Sequence, residues 1–331
     1  MRRLIAVVSV LPMTLLGLVA IGGPAQAKVP GPNGQLVFSR FNPDTETADI
    51  FVANPDGTHT HEVPLPIPAE GFGGAFWSPD GTKLLITNLI QFDDNGELLP
   101  FRPATVNPDG SDFHVLEPPG APFDMFCDAW SPDATRILCG FGGDAPGLFS
   151  IRASDGGDPV RLSTNPYGAG ELPGDYSPDG TQIVFMRTKP GAGSNPDRTQ
   201  QGALFVAKAD GTELHQITPY GLANSHDNAF AHWSPDGREI LFGSAQGLLY
   251  LVHPDGGGLT PIHLQTDGGS SVAFAPGWSP DGTRIIFSFL LRNVGQEDIY
   301  TAKADGTDLV QVTNTPDEER FADWGPHPLA T

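Results

Sequence analysis

Carboxylates and histidines gather ahead of a recurring aromatic residue in this chain. Glu70, Asp124, Asp128, Glu171, Asp175, His226, Asp227, Glu318, Glu319 and Asp323 each stand a few residues before it, and Asp93, Asp94 and Glu97 share one further segment. Brought together, several carboxylates make a hard-oxygen site for a cation such as calcium, or a basket for a basic group. Spread apart, they are a solvated acidic rim, the usual setting of a carboxylate. His226, Asp227 and His232 have the types needed for a general base with an orienting partner. His232 can equally be no more than the residue before Trp233, facing away. The sequence has no Gly-x-Ser-x-Gly elbow, no His-Glu-x-x-His pair, no zinc-spaced cysteines and no phosphate-binding glycine loop between strand and helix.

The elements that must position these groups announce themselves by repetition. Trp77-Ser78-Pro79-Asp80-Gly81 leads into Leu84-Leu85-Ile86, and Tyr176-Ser177-Pro178-Asp179-Gly180 into Ile183-Val184-Phe185. Trp233-Ser234-Pro235-Asp236-Gly237 and Trp278-Ser279-Pro280-Asp281-Gly282 repeat the pattern, and Trp130-Ser131-Pro132-Asp133 carries Ala134 in place of glycine. A worn copy, Trp324-Gly325-Pro326, lies near the C-terminus. The leaders at 77, 130, 176, 233, 278 and 324 are spaced by 53, 46, 57, 45 and 46 residues, a period that marks a repeat architecture. Proline presets φ for the turn, aspartate bonds its own backbone, and glycine takes the left-handed position. Apolar runs on both sides make each copy a β-hairpin.

A second marker runs in phase with the first. Asn54-Pro55-Asp56-Gly57 returns as Asn107-Pro108-Asp109-Gly110, Ser154-Asp155-Gly156, Ala209-Asp210-Gly211, His253-Pro254-Asp255-Gly256 and Ala304-Asp305-Gly306. Two hairpins per period are four strands of roughly five residues, one propeller blade. The tandem Trp-Ser-Pro-Asp-Gly copies resemble the β-propeller repeats of the TolB family, which also occur in the propeller of prolyl-oligopeptidase-like proteins. The likeness covers nearly all of the chain after residue 27 and concerns the propeller alone. It implies an all-β fold and a binding role, on a scaffold that also hosts enzymes.

Residues 1–27 read as a signal peptide. Arg2-Arg3 precedes an apolar run from Leu4 to Ile21, and Ala25-Gln26-Ala27 offers a small-residue cleavage site, although the run is long enough to serve as a membrane anchor if retained. Cleavage would release residues 28–331 as an exported protein, secreted or periplasmic. The whole chain has 18 basic and 39 acidic residues and a net charge of −21, which falls to −23 without Arg2 and Arg3. Such a balance argues against nucleic acid and anionic membranes as partners, and for a basic partner or bound cations.

Residues 34–66 hold three strands without an aromatic leader, and Trp324 is a leader without a continuation. Joined, they complete one blade and close a six-bladed ring with a mean of 49 residues per blade. In such a meander the Pro-Asp-Gly and Asp-Gly turns share one face. The second-to-third loops and the blade links share the other, where Gln91–Pro100, Thr188–Gly202, Leu291–Glu297, Gly120–Asp128 and Pro219–Asn228 vary. A uniform face and a diverse face are how function is grafted on a repeat scaffold. The expected function is a non-catalytic exported propeller binding a protein, peptide or glycan on the loop face, with no cofactor unless calcium. Asp124, Asp128, Glu171, His226, Asp227, Glu319 and Asp323 would then ring the channel mouth. The alternative is a secreted propeller enzyme, a metal-dependent lyase or lactonase, acting there.

The two cysteines belong to one copy. Cys127 lies three residues before Trp130 and Cys139 nine after it, offsets held by Phe230 and Phe242 around Trp233. If those positions face each other across the hairpin, an exported protein is free to oxidise the pair. Two buried free thiols are the other reading.

Overall fold

A computed structural model describes residues 31–42, 47–66, 73–89, 93, 95, 97, 99–118, 124–141, 147–163, 170–189, 202–222, 230–244, 246–265, 271–292 and 295–326. It is a six-bladed β-propeller of four-stranded antiparallel sheets. The first blade pairs a C-terminal inner strand, β24 (Glu318–Trp324), with β1 (Leu36–Asn42), β2 (Thr47–Ala53) and β3 (His61–Glu62). The second comprises β4 (Ala75–Trp77), β5 (Leu84–Leu89), β6 (Arg102–Val106) and β7 (His114–Val115). The third holds β8 (Met125–Trp130), β9 (Arg136–Phe141), β10 (Gly147–Arg152) and β11 (Val160–Arg161). The fourth holds β12 (Glu171–Tyr176), β13 (Gln182–Thr188), β14 (Gly202–Lys208) and β15 (His215–Gln216). In the fifth are β16 (His232–Trp233), β17 (Ile240–Gly243), β18 (Leu249–Val252) and β19 (Thr260–Ile262). The sixth is β20 (Ser271–Trp278), β21 (Arg284–Leu291), β22 (Gln296–Lys303) and β23 (Val310–Gln311).

The turn chemistry repeats atom for atom. Ser78 Oγ donates to Asp80 Oδ1 at 2.7 Å, Thr82 N donates to the same oxygen at 3.0 Å, and Gly81 N closes on Ser78 O at 2.8 Å. The corresponding serine–aspartate bonds recur at Asp133, Asp179, Asp236 and Asp281. The fifth turn residue is left-handed throughout, and Ala134 accepts φ 56° where its counterparts are glycine. The outer glycines serve a further purpose. A Cβ on Gly211 would fall 1.8 Å from the Leu162 carbonyl of the preceding blade, so these turns seat directly on the neighbouring sheet.

Second strands are buried on both faces because a blade stacks on each side. Ile285, Ile286 and Phe287 are consecutive and fully buried, which is why these strands read as unbroken apolar runs rather than alternating ones. The outermost strands are shorter than the five residues expected, two or three each. A short, largely polar edge presents little unpaired backbone to another sheet.

Candidate functional site

The inner strands do not run straight into the tunnel. A register shift interrupts β8 between Cys127 and Ala129, β12 between Pro173 and Asp175, β20 between Phe274 and Gly277, and β24 opposite Val37 and Ser39. Bulges of this kind re-aim side chains. At them, or at the equivalent place, Phe230, Ala275 and Phe321 take φ of 29°, 47° and 54°. A positive φ is a true outlier for a phenylalanine. The consequence is an aromatic plug where the inner-strand regions of four blades meet. Phe230 packs against Phe76 at 6.2 Å and Phe321 at 5.5 Å between ring centroids, with Phe274 and Ala275 beside them. Phe274 and Phe321 remain partly exposed.

Immediately before the aromatic leaders lies a polar layer. Asp128, Asp175, His232 and Asp323 line a cavity of about 30 Å³ together with Phe76, Trp77, Ala129 and Trp130. Asp323 Oδ2 accepts the backbone N–H of Trp77 in the next blade at 2.9 Å, and Asp175 Oδ2 accepts that of Trp233 at 3.2 Å. These two carboxylates are inter-blade staples. His232 is buried against Phe76 and Phe230, with Nδ1 3.6 Å from Asp175 Oδ2, so it faces inward and not away. Its carboxylate neighbour is Asp175 of the preceding blade; Asp227 and His226 lie outside the described residues.

Asp128 differs from its neighbours. It is 3% exposed, and neither carboxylate oxygen has a hydrogen-bond partner. Burial without compensation pushes its pKa up to about 7.

The other expected site residues among those described do not line this cavity. Asp124 is exposed and accepts the Phe101 N–H at 3.1 Å. Glu171 and Glu319, expected among the residues ringing the mouth, are each buried against an arginine of their own blade. Glu171 meets Arg187 at 2.5 Å and accepts a bond from the Ser163 hydroxyl. Glu319, fully buried, accepts bonds from Arg40 Nε at 3.0 Å and from the Thr315 hydroxyl. It also shares a hydrogen bond with Asp298 of β22, and burial raises both groups, Glu319 to about 7. Asp93 caps its own loop by accepting the Asn95 and Glu97 N–H groups. Glu70 and Asp94 lie outside the described residues, as do most of Gln91–Pro100 and Thr188–Gly202.

Sequence reasoning missed the phenylalanine plug, the Glu319–Asp298 pair and the arginines that neutralise Glu171 and Glu319. The available signals were the phenylalanines three residues ahead of Trp233 and Trp324. Cys127 and Cys139 are opposed across β8 and β9, and their sulfurs are bonded. Phe230, at the offset of Cys127, turns into the tunnel instead of pairing across a hairpin. Among the described residues, no group of three His, Cys, Asp or Glu side chains is arranged to hold a metal ion, and no helix is long and apolar enough to cross a membrane.

No family model matches the chain, and no curated protein matches it by sequence. Solved structures do. TolB from Acinetobacter baumannii superposes with a TM-score of 0.64 at 16% identity, over 94% of this chain and 69% of that one. A chain of a nidogen/laminin complex gives 0.61 at 8% identity, over 88% and 98%. An oligogalacturonate lyase in complex with manganese gives 0.50 at 16%, over 87% and 75%. At these identities the likeness is one of fold: the chain is built as a TolB-like propeller.

Proposed function

We propose that this chain is an exported, non-catalytic propeller that binds a protein, peptide or glycan on its loop face, with a basic, aromatic-bearing peptide as the best-fitting ligand. The observation that carries this reading is the plug. It gathers aromatic side chains from four blades and leaves Phe274 and Phe321 partly exposed as an apolar floor. Strained, aromatic backbone positions gathered on one axis are typical of ligand clamps. The chain's net charge of −21 favours a basic partner, and salt would weaken such binding because exposed charges are screened over about 10 Å. Export rests on the leader-like residues 1–27. The nidogen/laminin likeness supports protein binding only as something this fold does.

The test is a binding titration of residues 28–331 against basic peptides with and without an aromatic residue, at two ionic strengths. Binding that needs the aromatic residue, weakens with salt and falls at least tenfold in Phe274→Ala and Asp124→Ala supports the reading. Binding that survives both changes moves the site off this face. Calcium belongs in the same titration, since hard-oxygen ligation would raise the melting temperature.

A further inference from the structure

The unpartnered carboxylate in the polar layer calls for an occupant. Two of the three cavity aspartates are committed to backbone N–H groups of the next blade, whereas Asp128 has no donor on either oxygen and is 3% exposed. A buried carboxylate in this condition either stays protonated or takes a cationic partner. The cavity decides the size of that partner. A water-sized group needs on the order of 10–15 Å³, so about 30 Å³ admits an ammonium head. Its walls decide the chemistry. Phe76, Trp77 and Trp130 line it beside the carboxylates, and aromatic faces with carboxylates are the surroundings that attract an organic cation. A bare metal ion fits less well, because no three acidic or imidazole side chains among the described residues are arranged to ligate one.

We propose that the polar layer of the tunnel is a binding site for a primary ammonium group, with Asp128 as its counter-ion. The site lies at the ends of the inner strands that run into the Ser-Pro-Asp turns, on the far side of the plug from the loop floor. It is therefore a second site, which shares Phe76 with the plug. Trp77 and Asp175 keep partial exposure, so the cavity is not sealed. The ammonium can come from a free alkylamine or from a lysine side chain of another chain.

The experiment is calorimetric titration of residues 28–331 at pH 8 with methylammonium chloride, and with a Gly-Lys-Gly peptide beside its Nε-acetylated form. Tetramethylammonium, potassium and calcium chlorides are matched for ionic strength. Saturable methylammonium binding, at least tenfold weaker in Asp128→Asn and unchanged in the outer-turn variant Asp109→Asn, supports the site. Binding of the lysine peptide but not its acetylated form identifies a side chain as a competent source; methylammonium alone identifies a free amine. Asp128→Asn removes an uncompensated buried charge and should fold at least as stably as the parent, so lost binding is not lost structure. Equal binding by Asp128→Asn, no methylammonium binding by the parent, or displacement of methylammonium by calcium or potassium at lower concentration overturns the proposal.

Discussion

Asp323 accepts the backbone N–H of Trp77 across 246 positions of sequence, in a bond of 2.9 Å that ties the C-terminal strand to the second blade. Asp175 makes the corresponding bond to Trp233 between the fourth and fifth blades. The residue just before the aromatic leader thus serves in two blades as a staple on the next one. In the first blade that staple also holds the ring closed.

The closure can be tested at two levels. Asp323→Ala leaves a partly buried Trp77 N–H without its charged acceptor and should cost about 1–3 kcal/mol. Asp124→Ala, an exposed change, should stay within about 0.5 kcal/mol. Deleting residues 321–331 takes the Trp324 half of β24 and should abolish the single cooperative transition. Urea unfolding followed by circular dichroism reads all three. A deletion variant that unfolds like the parent would sink the clasp.

Stability should decline on both sides of a mildly acidic optimum. Asp128 and Glu319 have folded pKa values near 7, above their unfolded values, so the folded state binds the extra proton. Their contribution is full below about pH 4 and is lost as pH rises through 7. The turn aspartates Asp133, Asp179, Asp236 and Asp281 are held below their usual value by serine and backbone donors, with a threonine hydroxyl at all but Asp236, against a desolvation that opposes the shift. Their share is present above the unfolded pKa and lost as pH falls through the folded one. Unfolding free energies from pH 3 to 9 check the shape. Asp128→Asn should flatten the alkaline limb and leave the acid limb in place; an unchanged alkaline limb would refute the role of Asp128.

The third blade carries a bond and a strained turn in one hairpin. Replacing Cys127 and Cys139 by alanine should cost about 3 kcal/mol in the chain-entropy account of a loop this short. Ala134→Gly should return about 1 kcal/mol by relieving the left-handed alanine. Thiol titration of the unfolded, non-reduced protein should find none; two reactive thiols would contradict the bridge.

Repetition and local turn chemistry were enough to read the blades from the sequence. Ser-Pro-Asp-Gly specifies its own hairpin through contacts within five residues, so the blade count, the shared turn face and the clasp at Trp324 were legible without coordinates. The cysteine pair was legible too, though through an analogy that Phe230 does not obey.

The site was not legible, because it depends on where each bulge falls and on what the neighbouring blade offers. Asp175 and Asp323 directly precede their aromatic leaders while Asp128 stands one residue further back, and only the closed ring shows that the first two accept backbone N–H groups from another blade and the third accepts none. Glu171 and Glu319 look like mouth residues until Arg187 and Arg40 arrive from the adjacent strand. Backbone strain at Phe230 and Phe321, and the plug it builds, exist only once the inner-strand regions of four blades meet. Local chemistry determines a repeat; the burial and partnering of a charge are set by residues tens to hundreds of positions away, which only the closed ring brings within bonding distance.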